Sequence, residues 1–152
     1  MSWLIPIIIF IDQITKKLSE TFLINNIIKI GMFELRYVEN SGVAFGFFQG
    51  FPLVHGIIST IIVIFLYFFR EKYMKSVENF LFSFDLGICF IIGGALGNIF
   101  DRIRLGYVVD MIYWPKFSIF NVADIFITFG SIILLYHFLR RINYGKNSAQ
   151  SE

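Results

Sequence analysis

Long apolar runs leave this chain few ways to fold. Leu53 to Phe69, Phe80 to Phe100 and Ile119 to Leu139 each approach the ~20 residues that a helix needs to cross the hydrocarbon of a bilayer. A fourth run, Trp3 to Ile14, is shorter and holds Asp12. Extended to about Leu18, with Lys16 and Lys17 snorkelling towards the interface, it also spans. A cleaved signal peptide is the competing reading of this run. Against it stand the lack of a basic residue before the apolar core and of a small-x-small site after it. With 20 Phe among 152 residues, 57% hydrophobic content and a mean hydropathy of +0.72, the chain is too oily to cover its own surface as a soluble domain. The expected fold is an all-α polytopic membrane protein, a single domain over residues 1–152. Its four transmembrane helices are expected at about 3–18, 53–69, 80–100 and 119–139.

Charge excludes several function classes. The formal net charge is only +2, and the basic residues are scattered among loops, so nucleic acid is not an expected partner. His55 and His137 fall at opposite ends of the spans and no HExxH string occurs, so no metal and no cofactor are expected, and each His reads as a packing or interfacial residue. The lone Cys89 reads as a small buried apolar side chain. Basic residues are densest in the short loop with Arg70, Lys72 and Lys75 and in the tail with Arg140, Arg141 and Lys146. That density puts both of these segments, and both termini, on the cytoplasmic side.

Two connections carry patterns of their own. In IKIGMFELRYV, from Ile28 to Val38, Phe33, Leu35 and Tyr37 alternate with Glu34 and Arg36, the period of a half-buried strand; NSG then signals a turn. The pattern predicts a small external β element at about residues 22–50, between spans one and two. An amphipathic hairpin that shields the bundle is the other reading these residues allow. In RLGYVVDMIYWP the aromatic residues Tyr107, Tyr113 and Trp114 suit the headgroup level, and Pro115 stops any helix there. The stretch reads as a second surface element, a lid or a substrate rest, and Asp110 within it reads as a solvated interfacial charge rather than a catalytic one, though its closeness to Asp101 in sequence keeps it among the candidate acids.

Asp101 and Asp124 stand out at the edges of two apolar runs, within GNIFDR and FNVADIF. A carboxylate near hydrocarbon costs roughly 2.5–3.5 kcal/mol on insertion scales. Consecutive spans return the chain, so both acids lie at the same, outer face, which suggests an aspartate pair. Asn98 precedes Asp101 by three residues, as Asn121 precedes Asp124, so each carboxyl shares a helix face with a carboxamide. Gly93 and Gly97 let another helix approach closely. Paired carboxyls in a poorly solvated site share a proton, and one member then activates water while the other hydrogen-bonds a peptide carbonyl. The helix dipoles favour Asp124 as the base and Asp101 as the proton holder. A proton- or ion-coupled carrier would place acids nearer mid-span and show an internal repeat. A structural tetraspan subunit would need neither acid, and no spacing aligns a serine–lysine pair from Ser19 and Lys16 or from Ser41 and Lys29.

Five blocks in order, DQITK (Asp12 to Lys16), ENSGVAFG (Glu39 to Gly46), GNIFDR, LGYVVDMI and FNVAD, resemble the signature blocks of the bacterial lipoprotein signal peptidases, the type II signal peptidases. The resemblance implies an aspartyl endopeptidase of the bacterial cytoplasmic (inner) membrane, with its site at the outer (periplasmic) face. Such enzymes cut signal peptides from diacylglyceryl-modified prolipoproteins just before the lipidated cysteine. It further implies Asp101 and Asp124 as the catalytic dyad. Asp12, Asn98, Arg102, Asn121 and Ala123 would shape the site, and Asn40, Gly42, Ala44 and Phe45 would hold substrate from the external β element. The implied partners are the lipidated prolipoprotein, membrane lipid and a globomycin-type inhibitor.

Overall fold

A computed structural model describes residues 1–42, 50–76, 81–115 and 117–149. Four helices and four strands follow in the order α1 (Leu4–Phe22), β1 (Ile28–Ile30), β2 (Phe33–Asn40), α2 (Pro52–Ser76), α3 (Leu81–Leu105), β3 (Val108–Trp114), β4 (Ser118–Phe120) and α4 (Val122–Ala149). Three of the helices contain segments long and apolar enough to cross a membrane: Pro52–Ser76, Phe82–Leu105 and Val122–Asn143. Their outward residues, such as Ile57, Ile61 and Phe65 of α2 and Phe129, Ile132 and Leu135 of α4, are exposed and apolar, as lipid-facing surfaces must be.

α3 is the central helix, packed against α1, α2 and α4. Glycines permit this approach. A Cβ on Gly93 would lie 2.9 Å from Ile8 of α1, and one on Gly94 would lie 2.5 Å from the Ala123 carbonyl of α4. Phe84, Ile88, Ile92 and Ile99 of α3 form the core with Val63 of α2. Near the start of α3, the Asp85 carboxylate pairs with the Met1 ammonium at 2.6 Å and with Arg70. His137, at 1% exposure, joins Tyr73 and Ser83 at the same end. The Met1 end of α1, the late part of α2, the early part of α3 and the late part of α4 thus meet, and the helices alternate in direction.

The opposite end is roofed by one antiparallel sheet of order β1-β2-β3-β4, where the sequence led us to expect a β element confined to residues 22–50 of an otherwise all-α chain. Gly31, at φ 60, makes the tight turn between β1 and β2, a conformation that costs glycine nothing. β2 then pairs with β3 from Glu34↔Tyr113 to Asn40↔Val108, and β3 with β4 from Ile112↔Phe120 to Trp114↔Ser118. Half of the sheet therefore comes from the α3–α4 connection. Ile119 and Phe120, expected at the start of the fourth span, belong to β4 instead, and α4 begins at Val122. Val108, Val109, Asp110 and Met111 are all buried, because the bundle covers one face of β3 while neighbouring polar groups cover the other. Gly106 at φ 79 closes α3, its N–H bonded to the Arg102 carbonyl at 3.1 Å, and turns the chain into β3.

Candidate active site

Between bundle and sheet lies a cluster of polar side chains drawn from α1, β2, α3, β3 and α4. Its centre is Lys16. One turn after Asp12 on α1, its ammonium lies 2.8 Å from Asp12 Oδ2, 2.8 Å from Asp101 Oδ2 and 2.9 Å from Asn98 Oδ1. All three ions are fully buried. The expectation that Lys16 snorkels to the interface is therefore overturned. Its neighbour Lys17, 69% exposed, does reach outward, because a single residue turns the helix by about 100°.

Asp12 ties α1 to α4 as well, since its Oδ1 accepts the Ala123 N–H at 2.9 Å. Asp101, besides Lys16, accepts from Gln13 Nε2 at 3.0 Å and from the Val109 N–H at 3.2 Å. A cation and two N–H donors thus meet its two oxygens. Asp101 is committed to contacts with α1 and β3.

Asp124 lies in the first turn of α4, where free amides favour a negative charge. Its Oδ2 accepts the Asn121 N–H at 3.1 Å, while Asn121 Oδ1 accepts the Asp124 N–H at 3.0 Å, a reciprocal cap. Asn98 Nδ2 donates to its Oδ1 at 2.9 Å. Unlike Asp101, Asp124 is only partly buried.

Asp110 is the largest correction to the sequence reading. It is 1% exposed rather than solvated, and it meets only neutral donors: Asn40 Nδ2 at 2.9 Å and Asn121 Nδ2 at 2.8 Å. Burial, followed by the negative charge of Asp124, pushes its carboxyl up to about 7, against the two amide donors and the charge of Lys16. Asn121 therefore grips Asp110 with its side chain and Asp124 with its backbone. Between Asp101 and Asp124, by contrast, stand Lys16 and Asn98.

Around this centre, Asn40 Oδ1 accepts the Gly42 N–H at 2.9 Å. Arg102 donates to the Gly42 carbonyl at 3.2 Å and to the Asn98 carbonyl at 3.3 Å. Asp12, Asn40, Gly42, Asn98, Asp101, Arg102, Asn121, Ala123 and Asp124 are thus brought to one place, whereas Ala44 and Phe45 lie outside the described residues. Sequence reasoning missed Gln13 and misread Lys16 and Asp110. The i, i+4 spacing of Asp12 and Lys16 was the available signal for the buried ion pair. Among the described residues no group of three or more His, Cys, Asp or Glu could hold a metal ion.

A helical membrane protein with an acid site enclosed between its bundle and an antiparallel sheet is the class that this geometry defines. A sequence model of the family described as signal peptidase (SPase) II matches residues 4–140, and the chain belongs to that family of proteases. It is 42% identical over 138 residues to the lipoprotein signal peptidase of Caldanaerobacter subterraneus subsp. tengcongensis, covering 88% of this chain and 91% of that protein. The lipoprotein signal peptidase of Clostridioides difficile is 36% identical over 148 residues, with coverages of 90% and 92%. A bacterial membrane enzyme solved by the in meso method at 2.3 Å resolution is similar in fold, with a TM-score of 0.79 and 31% identity over 91% of this chain and 87% of that one.

Proposed function

We propose that this protein is a membrane aspartyl endopeptidase that removes the signal peptide from diacylglyceryl-modified prolipoproteins, cutting just before the lipidated cysteine, and that its proton-sharing pair is Asp110 and Asp124. The observation that carries this reading is the grip of Asn121 on both carboxyls. The sequence, through the Asn offsets and apolar-run edges as well as the family resemblance, led us to expect Asp101 as the second acid. The contacts favour Asp110, because Asp101 is already matched by the buried Lys16 ammonium, whereas Asp110 and Asp124 share Asn121 as a partner.

In the resting site Asp124 is the carboxylate and Asp110 holds the proton. Asp124 takes a proton from water as the oxygen adds to the scissile carbonyl carbon, while Asp110 donates its hydrogen bond, then its proton, to the carbonyl oxygen. Collapse of the tetrahedral species breaks the C–N bond. The leaving amine takes the proton held by Asp124, and Asp110 recovers its own from the diol hydroxyl. One water is consumed and both acids return to their starting states. A serine–lysine mechanism fits less well, since Lys16 is committed to Asp12, Asp101 and Asn98.

Four spans form a single membrane domain in this reading. α1 has 19 residues, about 28 Å of helix at ~1.5 Å per residue, close to the ~30 Å hydrocarbon thickness. Its charged residues Asp12 and Lys16 turn inward. The density of basic residues in the α2–α3 loop and the tail supports placing these in the cytoplasm, the site at the outer face and the protein in the bacterial inner membrane. Substrate enters laterally, its acyl chains remaining in lipid, and a globomycin-type cyclic peptide competes for the same site.

Cleavage of a lipidated precursor by the purified protein, followed by gel shift, tests the reading. Asp110→Asn and Asp124→Asn are each expected to lower kcat by about 10²–10⁴-fold, and an unlipidated precursor is expected to be cut far more slowly than the lipidated one. Normal cutting by Asp110→Asn would return the second role to Asp101.

A further inference from the structure

The geometry points to Lys16 as a positioning residue for the reaction: acting through the Asn98 carboxamide, it aims the N–H that holds Asp124. This inference rests on the reading of Asp124 as a member of the working pair. It concerns a residue that touches neither of the two proposed catalytic acids, and it begins from an amide whose orientation the surrounding atoms leave no freedom to choose.

Asn98 Oδ1 receives two donors, Lys16 Nζ at 2.9 Å and Asn121 Nδ2 at 3.1 Å. An ammonium carries three donors and no acceptor. Were the Asn98 amide turned over, its NH₂ would face the Lys16 ammonium and the Asn121 NH₂ together, donors against donors, and its oxygen would face the Asp124 carboxylate. The amide therefore presents nitrogen to Asp124, at 2.9 Å. Asn121 supports this orientation, its own amide being fixed by the Asp124 N–H at 3.0 Å, but it is a neutral donor shared with Asp110 Oδ1 at 2.8 Å, whereas Lys16 brings a charge. The ammonium is the member of the network that cannot accept a hydrogen bond in any orientation.

Lys16 is itself fixed. Asp12 and Asp101, both fully buried, hold it at 2.8 Å each. Asp12 is anchored on the Ala123 N–H at 2.9 Å, and Asp101 on Gln13 and Val109. The chain of contacts runs from the two structural acids through Lys16 to Asn98 and ends on the Asp124 carboxylate. The first links are ion pairs and the last two hydrogen bonds, and all but the last lie in a dry interior where a misdirected donor is costly.

The test uses the full-length protein with a lipidated precursor. Lys16→Met alone would strand two buried carboxylates, so it is combined with Asp12→Asn and Asp101→Asn, and insertion and thermal midpoint are measured beside kinetics. The expected result is a kcat lowered by about 10²-fold, the size of loss that a misplaced reacting group brings, with KM for the precursor changed by less than about 3-fold. In an Asn98→Ala background the triple change is expected to lower kcat by less than about 3-fold more, because the residue through which Lys16 acts is gone. Asn98→Asp provides a second route that leaves Lys16 and its partners intact. It keeps an acceptor for Lys16 but sets an oxygen against Asp124, and kcat is expected to fall by about the same factor. A folded triple variant with wild-type kcat, losses that multiply in full in the Asn98→Ala background, or a wild-type kcat for Asn98→Asp would each overturn the proposal. Should Asp124→Asn cut normally in the same assay, the pair reading fails. Should Asp124→Asn be inactive while the Lys16 and Asn98 variants keep their kcat, only the positioning role fails.

Discussion

Gly97 of α3 and Asp12 of α1 are so close that a Cβ on the glycine would lie 2.5 Å from the carboxylate Oδ2. That oxygen is the one paired with Lys16. Gly97→Ala is therefore expected to push Asp12 away from both Lys16 and the Ala123 amide, destabilising the protein by about 1–3 kcal/mol and lowering kcat by roughly 10-fold or more. Gly56→Ala is the matching control, because its Cβ would meet Arg102 only at 3.8 Å or beyond. Thermal midpoints and kcat for the two variants decide the matter, and equal behaviour would contradict it.

Asp110 makes stability depend on pH. Its carboxyl, pushed up to about 7 from 3.8, stays protonated in the fold while it ionises in the unfolded chain. The stabilisation is thus complete below about 3.8, falls as pH rises towards 7 and is absent above it. Asp110→Asn lacks this dependence. Between pH 5 and pH 8 the variant is expected to gain about 2–3 kcal/mol relative to the parent, at about 1.4 kcal/mol per pH unit up to about pH 7 and little beyond it. Denaturant titrations at the two pH values read this directly, and parallel curves would count against a raised Asp110.

Asp101 is expected to behave as a structural anion. Replacing it with Asn leaves Lys16 with one carboxylate fewer in a fully buried site, a loss of about 3–5 kcal/mol of stability on the scale of broken buried pairs. Asp124→Asn, at a partly buried residue, is expected to lose activity with a much smaller fall in thermal midpoint. A stable Asp101→Asn protein would remove the structural assignment.

The far end of the bundle gives the opposite contrast. Asp85 neutralises Arg70 and the Met1 ammonium at the other end of α3 from Asp101. Asp85→Ala should lower stability by about 3–5 kcal/mol, while the surviving folded fraction keeps its kcat. A large fall in kcat per folded molecule would show that the two ends communicate.

Much of this architecture was legible in the chain. The apolar runs located the starts of α2 and α3 to within one residue, although these helices run on past Phe69 and Phe100 to Ser76 and Leu105, and the alternation of Phe33, Leu35 and Tyr37 located β2. β3 escaped because Val108, Val109, Asp110 and Met111 are buried on both faces, which erases the period of two. Ile119 and Phe120 looked like the start of a span because their strand pairing with Ile112 and Tyr113 comes from residues that are not adjacent to them in the sequence pattern. In the site, shared Asn offsets drew attention to Asp101 and Asp124. They could not show that Lys16 folds inward beside Asp101, since a Lys next to another Lys reads as surface until helix phase is known. Asp110 was hidden for a related reason: its neighbours Asn40 and Asn121 come from elements 70 and 11 residues away.

The pairing of β2 with β3 joins two separate connections into one plate above the acids. Each hairpin alone would be a short, marginal structure, yet neither can lift away without breaking the ladder that runs from Glu34↔Tyr113 to Asn40↔Val108. A protease nick in the exposed turn at Gly31 would therefore leave β2 clasped to β3 across that seam, with β1 held to the plate by its three pairs to β2, and peptide entering the site must pass beneath the plate or tilt it whole.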